Sequence, residues 1–382
     1  MPGFFSILID KSVLQGLTAR EAKWLLHHLR VNLPPVFFSE VLGDLKKEKG
    51  FSTASGEGDV KMMSGKVDSA FVFLNKDSQM LLRDELLGKR FEMDGRPVLD
   101  TEEVRMADGT RGAFFDQTPM QRVLARWKEG NFEAMEHEFA QVWRSRLASI
   151  DLEKIVRLNS SVRNKEVRTP ADVRRLVDNA LFRPDRNFAN LSYWLEIIKA
   201  PETVKRGVLE TWKRVGRPPA IKFAPYIAHI AKVRYFFYIA VAHQVITTRS
   251  SNQIDMEYFD YLPFARVFSS NDNLHTQVYP ALAEDWQIFI PFAELKTALR
   301  ELAEYYDAMA PEQKRLGSMT YADYPPIEMD NAITRAYDRF MPKWRIGANE
   351  PPPPRDPVAD ARLMEHLRSI ENAIDAHKAK RS

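Results

Sequence analysis

The 382-residue chain contains no cysteine. Disulfides and thiolate metal sites are therefore excluded, and any metal must be held by oxygen or histidine ligands. A reducing compartment is the expectation, with the cytoplasm as the location. Long apolar runs are missing too: no uncharged stretch approaches the roughly 18 residues that a membrane span needs. The first residues, MPGFFSILIDKS, lack a basic segment and reach Asp10 after too short an apolar stretch for a signal peptide. No membrane partner is expected. The phosphate-binding patterns GxxxxGK[ST] and GxGxxG are absent, so a nucleotide-driven motor or a dehydrogenase finds no support. A strong excess of one sign of charge is missing, the formal net charge being only +3.

What is present describes a packed protein. Hydrophobic residues make up 45% of the chain and aromatics 11%, ample for a core. The length exceeds what one core usually supports, which predicts two units, or one unit elaborated by a long insertion. Charge is unevenly placed. Residues 204–234 carry eight basic residues against one acid, Glu210, and residues 154–186 carry nine against four. Such stretches suit an anionic partner, nucleic acid first, or are simply solvated helix faces.

Apolar patterning sets the elements. FFSILI reads as a buried strand that stops at Asp10. TAREAKWLLHHLR has helical spacing, with Thr18 and Glu21 forming a capping box, and ends before Pro34. A second strand is predicted over Val36 to Phe38, followed by a helix that Ser39 caps. Alternating strand and helix signals a parallel sheet. Residues 50–66 read as a loop, and about 88–117, with Asp94-Gly95 and Asp108-Gly109, as a β-hairpin or small ribbon. Amphipathic helices are expected from Thr118 to about Ala200, and a covered central helix over 223–246. In DMEYFDYLPFARVFSSNDNLH, a helix opening near Asp255 is stopped by Pro263, and a strand follows around Ala265 to Ser269. A further helix spans Ala293 to Met309. The predicted fold class is thus α/β: a mainly parallel sheet flanked by helices, built from residues 1–50 and 235–310. A largely helical insertion, 51–234, holds the hairpin. Residues 311–349 form a C-terminal extension, and 350–382 a proline-rich linker with a polar tail helix.

The acids carry the sharpest chemical signal. Asp10 closes the first strand. Glu40 and Asp44 stand one helical turn apart, Asp255 opens a helix, and Asp272 follows a strand. Ligands of an open parallel sheet collect where strands end. Carboxylates gathered there repel one another unless a cation neutralises them, and hard oxygen ligands select Mg²⁺ or Mn²⁺. Each acid alone is equally at home as a helix cap or turn residue. Among the histidines, His27, His28, His137, His229 and His243 fit core or surface roles, with no HExxH pair.

The pieces ILIDKSVLQGLT, VFFSEVLGDL and IDMEYFDYLPFARVFSSNDNLH together resemble the acidic motifs of PIN-domain nucleases, over about a third of the chain. The resemblance implies a PIN-like core with one or two Mg²⁺ or Mn²⁺ ions that activate water for phosphodiester hydrolysis, RNA more than DNA. Asp10 would be the first ligand, Glu40 or Asp44 the second, Asp255 (or Asp260 one turn later) the third, and Asp272 the last. The interval between second and third acids, over 200 residues, departs from a minimal PIN domain, so the insertion would cover, complete or regulate the site. Lys11, Arg249, Ser270, Asn271 and His275 are candidate substrate contacts or supports. A toxin or antiviral effector role, and a protein partner or homo-oligomer, are compatible with such a chain. The alternative is a non-catalytic PIN-like nucleic-acid-binding or scaffold subunit.

Overall fold

A computed structural model describes residues 5–46, 56–67, 72–99, 102–105, 111–114, 119–159, 166–315 and 317–349, with isolated positions between 361 and 372. Its strands are β1 (Ser6–Ile9), β2 (Arg30–Leu33), β3 (Val72–Leu74), β4 (Glu102–Arg105), β5 (Arg111–Phe114), β6 (Val267–Ser270) and β7 (Ile288–Pro291). Five of them form one parallel sheet in the order β3-β2-β1-β6-β7, while β4 and β5 pair antiparallel apart from it. Ile7, Leu8 and Ile9 of β1 have no exposed surface, because helices cover both faces of the sheet. The expected α/β class with a parallel sheet is what the chain forms.

Details differ. The second strand is Arg30–Leu33, and the apolar run Val36 to Phe38 lies in a helix, Pro35–Gly43. Short apolar runs do not distinguish strand from buried helix, and Pro35 at the first helical position, its φ already helical, tips this one. Residues expected as a loop include a helix, Gly56–Gly65, that buries Val60 and Met63. Edge strand β3 comes from within 51–234, so the sheet is not confined to the two expected segments. The β4–β5 pair lies inside the expected hairpin. The Asp94-Gly95 turn lies elsewhere: Gly95, at φ 88°, donates its N–H to Pro263 O at 2.9 Å and accepts from Ser6 Oγ at 2.6 Å. Asp108-Gly109 and the proline run fall outside the described residues.

The capping box at Thr18 and Glu21 forms as expected. The apolar helix, Pro225–Ala242, is buried along most of its length. Its first N–H groups, from Tyr226 and Ile227, donate to the Glu85 carboxylate at 3.1 and 2.7 Å. Burial outweighs those bonds and pushes Glu85 up to about 7.

The strand order sets where the sheet opens a crevice. From β1 the chain steps outward to β2 and β3. After the helical excursion it re-enters beside β1 as β6 and steps the other way to β7. Adjacent strands whose connections diverge leave a crevice beyond their C-terminal ends. Here those ends are Asp10 and Ser270.

Candidate acidic site at the sheet edge

Parallel pairing of Ile7 with Val267, Leu8 with Phe268 and Ile9 with Ser269 carries Asp10 level with Ser270. Asp10 is 4% exposed, and both its oxygens are engaged. Oδ1 accepts from Ser12 Oγ at 2.7 Å and Val13 N at 3.1 Å. Oδ2 accepts from Ser270 Oγ at 2.6 Å and His275 Nδ1 at 3.2 Å. Ser270 Oγ in turn accepts from the Asp272 N–H at 2.8 Å and lies 2.7 Å from His275 Nδ1. His275 Nε2 donates to the Asp255 carbonyl at 2.7 Å. One hydroxyl and one imidazole thus tie together the backbones or side chains of Asp10, Asp255 and Asp272.

The charges follow. Burial opposes ionisation of both partners, but their hydrogen bond and mutual attraction prevail, holding Asp10 below its ordinary value and pushing His275 up to about 9. His275, expected as a substrate contact, is fully buried and serves instead as an internal counter-ion. The signal in the sequence was its place one turn into the helix that Asp272 caps.

The remaining acids divide. Asp44 is buried between two cations, Lys11 Nζ at 2.5 Å and Arg144 Nη2 at 3.3 Å. Lys11 also reaches the Glu40 carbonyl at 3.3 Å. Glu40 accepts from Tyr258 OH at 2.5 Å. Its carboxyl is raised, by burial first, with Tyr258 and Lys11 opposing and the Asp10 charge adding to the rise. Asp272 caps the helix Asn273–Leu282 through Leu274 N at 2.7 Å. Asp255 has no side-chain hydrogen bond or ion pair among the described residues. Burial, together with repulsion from Glu40, Asp272 and Asp10, pushes it up to about 7 against the pull of His275.

Sequence reasoning missed Arg144, Tyr258 and Glu257. Glu257 is pushed up to about 7 and Asp260 to about 8, both chiefly by burial, with Arg146 and then Arg234 opposing at Glu257 and Arg234 opposing at Asp260. Both ride the 3₁₀ segment Met256–Phe264, whose three-residue period sets Glu257 and Asp260 on one side. The sequence showed these acids but not the 3₁₀ winding. Arg249 and Asn271 are exposed, with the Asn271 N–H donating to Ser12 Oγ at 3.0 Å.

Among the described residues, no three His, Asp or Glu side chains form a group that could hold a metal ion. Asp44 is already neutralised, and Asp10 has its four hydrogen bonds. Glu40, Asp255 and Asp272 keep oxygens without a partner among the described residues. That supply suits an ion that takes one or two carboxylates and keeps several waters, as Mg²⁺ does, and not a closed cage.

The basic stretches also separate. Cations of 154–186 are largely engaged by neighbouring acids, as in Arg174–Asp178 and Arg157–Asp151. In 204–222, Arg206, Lys213, Arg217 and Lys222 are exposed and make no ion pair among the described residues. Among the described residues, no helix is long and apolar enough to cross a membrane. No family model, curated protein or solved structure matches the chain.

Proposed function

We propose that the chain is a divalent-cation-dependent nuclease, PIN-like in its core, that hydrolyses phosphodiesters of RNA in preference to DNA. The observation that carries this reading is Asp255: a carboxyl without a partner among the described residues, its carbonyl tied to the strand-end network through His275 and its charge repelled by Glu40, Asp272 and Asp10. A site that keeps like charges uncompensated is costly to fold and is retained where a cation completes it. Asp255, with one of Glu40 and Asp272, would hold a Mg²⁺ or Mn²⁺ ion that keeps several waters, and when bound it supplies a polarised water and charge stabilisation at phosphorus. Asp10 acts behind them. Through Ser270 and His275 it fixes where Asp255 and Asp272 stand, and Asp44 holds Lys11 beside Glu40. The exposed cations of 204–222 offer phosphate contacts that would make binding salt-dependent. A toxin or antiviral effector role, and the cytoplasm as its place of action, are extensions of this reading.

The test is cleavage of single-stranded RNA by the full chain with Mg²⁺ or Mn²⁺, lost on adding EDTA. Asp255→Asn and Glu40→Gln should lose activity while staying folded, and undiminished cleavage by both would end the proposal. The four hydrogen bonds on Asp10 favour a second reading, a non-catalytic nucleic-acid-binding subunit. RNA binding without turnover, indifferent to Mn²⁺, is its signature.

A further inference from the structure

The opposite edge of the sheet holds a cavity of about 620 Å³. Pro263 lies ahead of β6, and Trp286 and Gln287 directly ahead of β7, so the cavity sits at strand N-termini, a strand's length from the acids. Its volume is that of a small-molecule pocket. Met93, Phe182, Pro263 and Trp286 contribute an apolar, partly aromatic lining. Two cations also line it. Lys232, 5% exposed, bonds Glu284 Oε1 at 3.0 Å and, more weakly, the Leu282 carbonyl at 3.4 Å. Arg174 bonds Asp178 through Nε at 2.8 Å and the Ala281 carbonyl through Nη1 at 2.7 Å. Arg174 Nη2 and Trp286 Nε1 make no hydrogen bond among the described residues.

His229, also lining the cavity, adds one acceptor. Its Nε2 donates to the Phe259 carbonyl at 2.8 Å, so Nδ1 bears a lone pair with no partner among the described residues. Burial, with the nearby Lys232 charge, keeps the ring neutral, with its pKa lowered to about 3. The acids paired with the cations stand nearer solvent, the Glu284 side chain being 55% exposed and that of Asp178 42%. An entering anion would take over the inner cations while those acids turn to water.

We propose that this cavity is a binding site for a small anion carrying a flat ring, its carboxylate or phosphate held by Lys232 and Arg174 and its ring against Trp286 and Phe182. A hydrogen-bond donor on the ligand would meet His229 Nδ1. The site is independent of the acidic edge and of any nuclease activity there.

Titration calorimetry on the full chain tests it with three probes: indole-3-acetate, adenosine 5′-monophosphate and inorganic phosphate. Saturable binding of either ring-bearing probe is expected, and which one binds identifies the head group. Failure of both overturns the proposal. Lys232→Met fills the same space without the charge and should weaken binding about tenfold or more. If that variant does not fold, Arg174→Gln on the half-exposed wall provides the same readout. Binding unchanged in the folded variant overturns the assignment. Asp255→Asn should bind as the parent does, whereas loss of binding there would place the probe at the acidic edge and refute the cavity.

Discussion

The two edges of the sheet use the same residue types in opposite ways. At the N-terminal edge the two acids that line the cavity have cations: Glu284 has Lys232 and Asp178 has Arg174. At the C-terminal edge one acid, Asp10, has an internal imidazole and another, Asp44, has two cations. Asp255, Glu257 and Asp260 have no ion pair among the described residues. Burial costs a carboxylate several kcal/mol unless attraction offsets it. The charges of the first edge are therefore balanced within the chain, whereas the second stores unfavourable charge that a cation or a proton relieves.

Removing the imidazole partner of Asp10 should break this contrast hardest. His275→Ala leaves Asp10 buried without its counter-ion and is expected to cost about 3–5 kcal/mol in chemical denaturation at pH 7. Asp10→Asn in the same chain should recover part of that loss, because the stranded charge goes with it. A cost below about 1 kcal/mol would show that the imidazole is not what holds the edge together.

The unpaired acids should respond with the opposite sign. Asp260 stands at about 8, above the ordinary aspartate value, so ionising it in the folded state is uphill. Its folding contribution is intact below about pH 4 and is lost as pH rises through 8. Asp260→Asn escapes that loss and should be more stable than the parent by about 2–3 kcal/mol at pH 9, with the gain vanishing at pH 4. Asp255, at about 7, predicts the same trend completed one unit lower. With the group half-buried, Asp255→Asn should gain about 1–2 kcal/mol at pH 8, while abolishing the proposed cleavage. Equal stability of parent and variant across pH 4–9 would remove the claim of stored repulsion.

How far these properties could be read beforehand varies with the range of the interaction. The strand ending at Asp10, the Thr18 capping box, the buried central helix and the strand before Asp272 all rest on local pattern, and all formed. The Val36 to Phe38 run went astray because three apolar residues carry no period, and Pro35 decided the matter locally. Edge strand β3 was missed because its three apolar residues, Val72–Leu74, carry no period. At the site, the gathering of Asp10 and Asp272 at one edge was legible from strand ends. Their interlock through Ser270 and His275 was not, since it depends on the β1–β6 register across about 260 residues of sequence. Nor could sequence choose between Glu40 and Asp44. Arg144, from a helix a hundred residues away, neutralises Asp44 and leaves Glu40 as the acid coupled to Asp10 and Asp255.

The smallest effect belongs to the satisfied edge and sharpens the contrast from the other side. Arg174 and Asp178 are one helical turn apart with the Asp178 side chain 42% exposed, so solvent screens most of their attraction. Asp178→Ala should cost only about 0.3–0.5 kcal/mol, because Arg174 keeps its bond to the Ala281 carbonyl. That cost should fade toward zero in 1 M salt, whose screening length is about 3 Å. The His275→Ala loss, buried and inaccessible to ions, should survive the same salt almost undiminished. If salt erased both equally, the C-terminal edge would be as solvated as the N-terminal one, and its acids would need no cation.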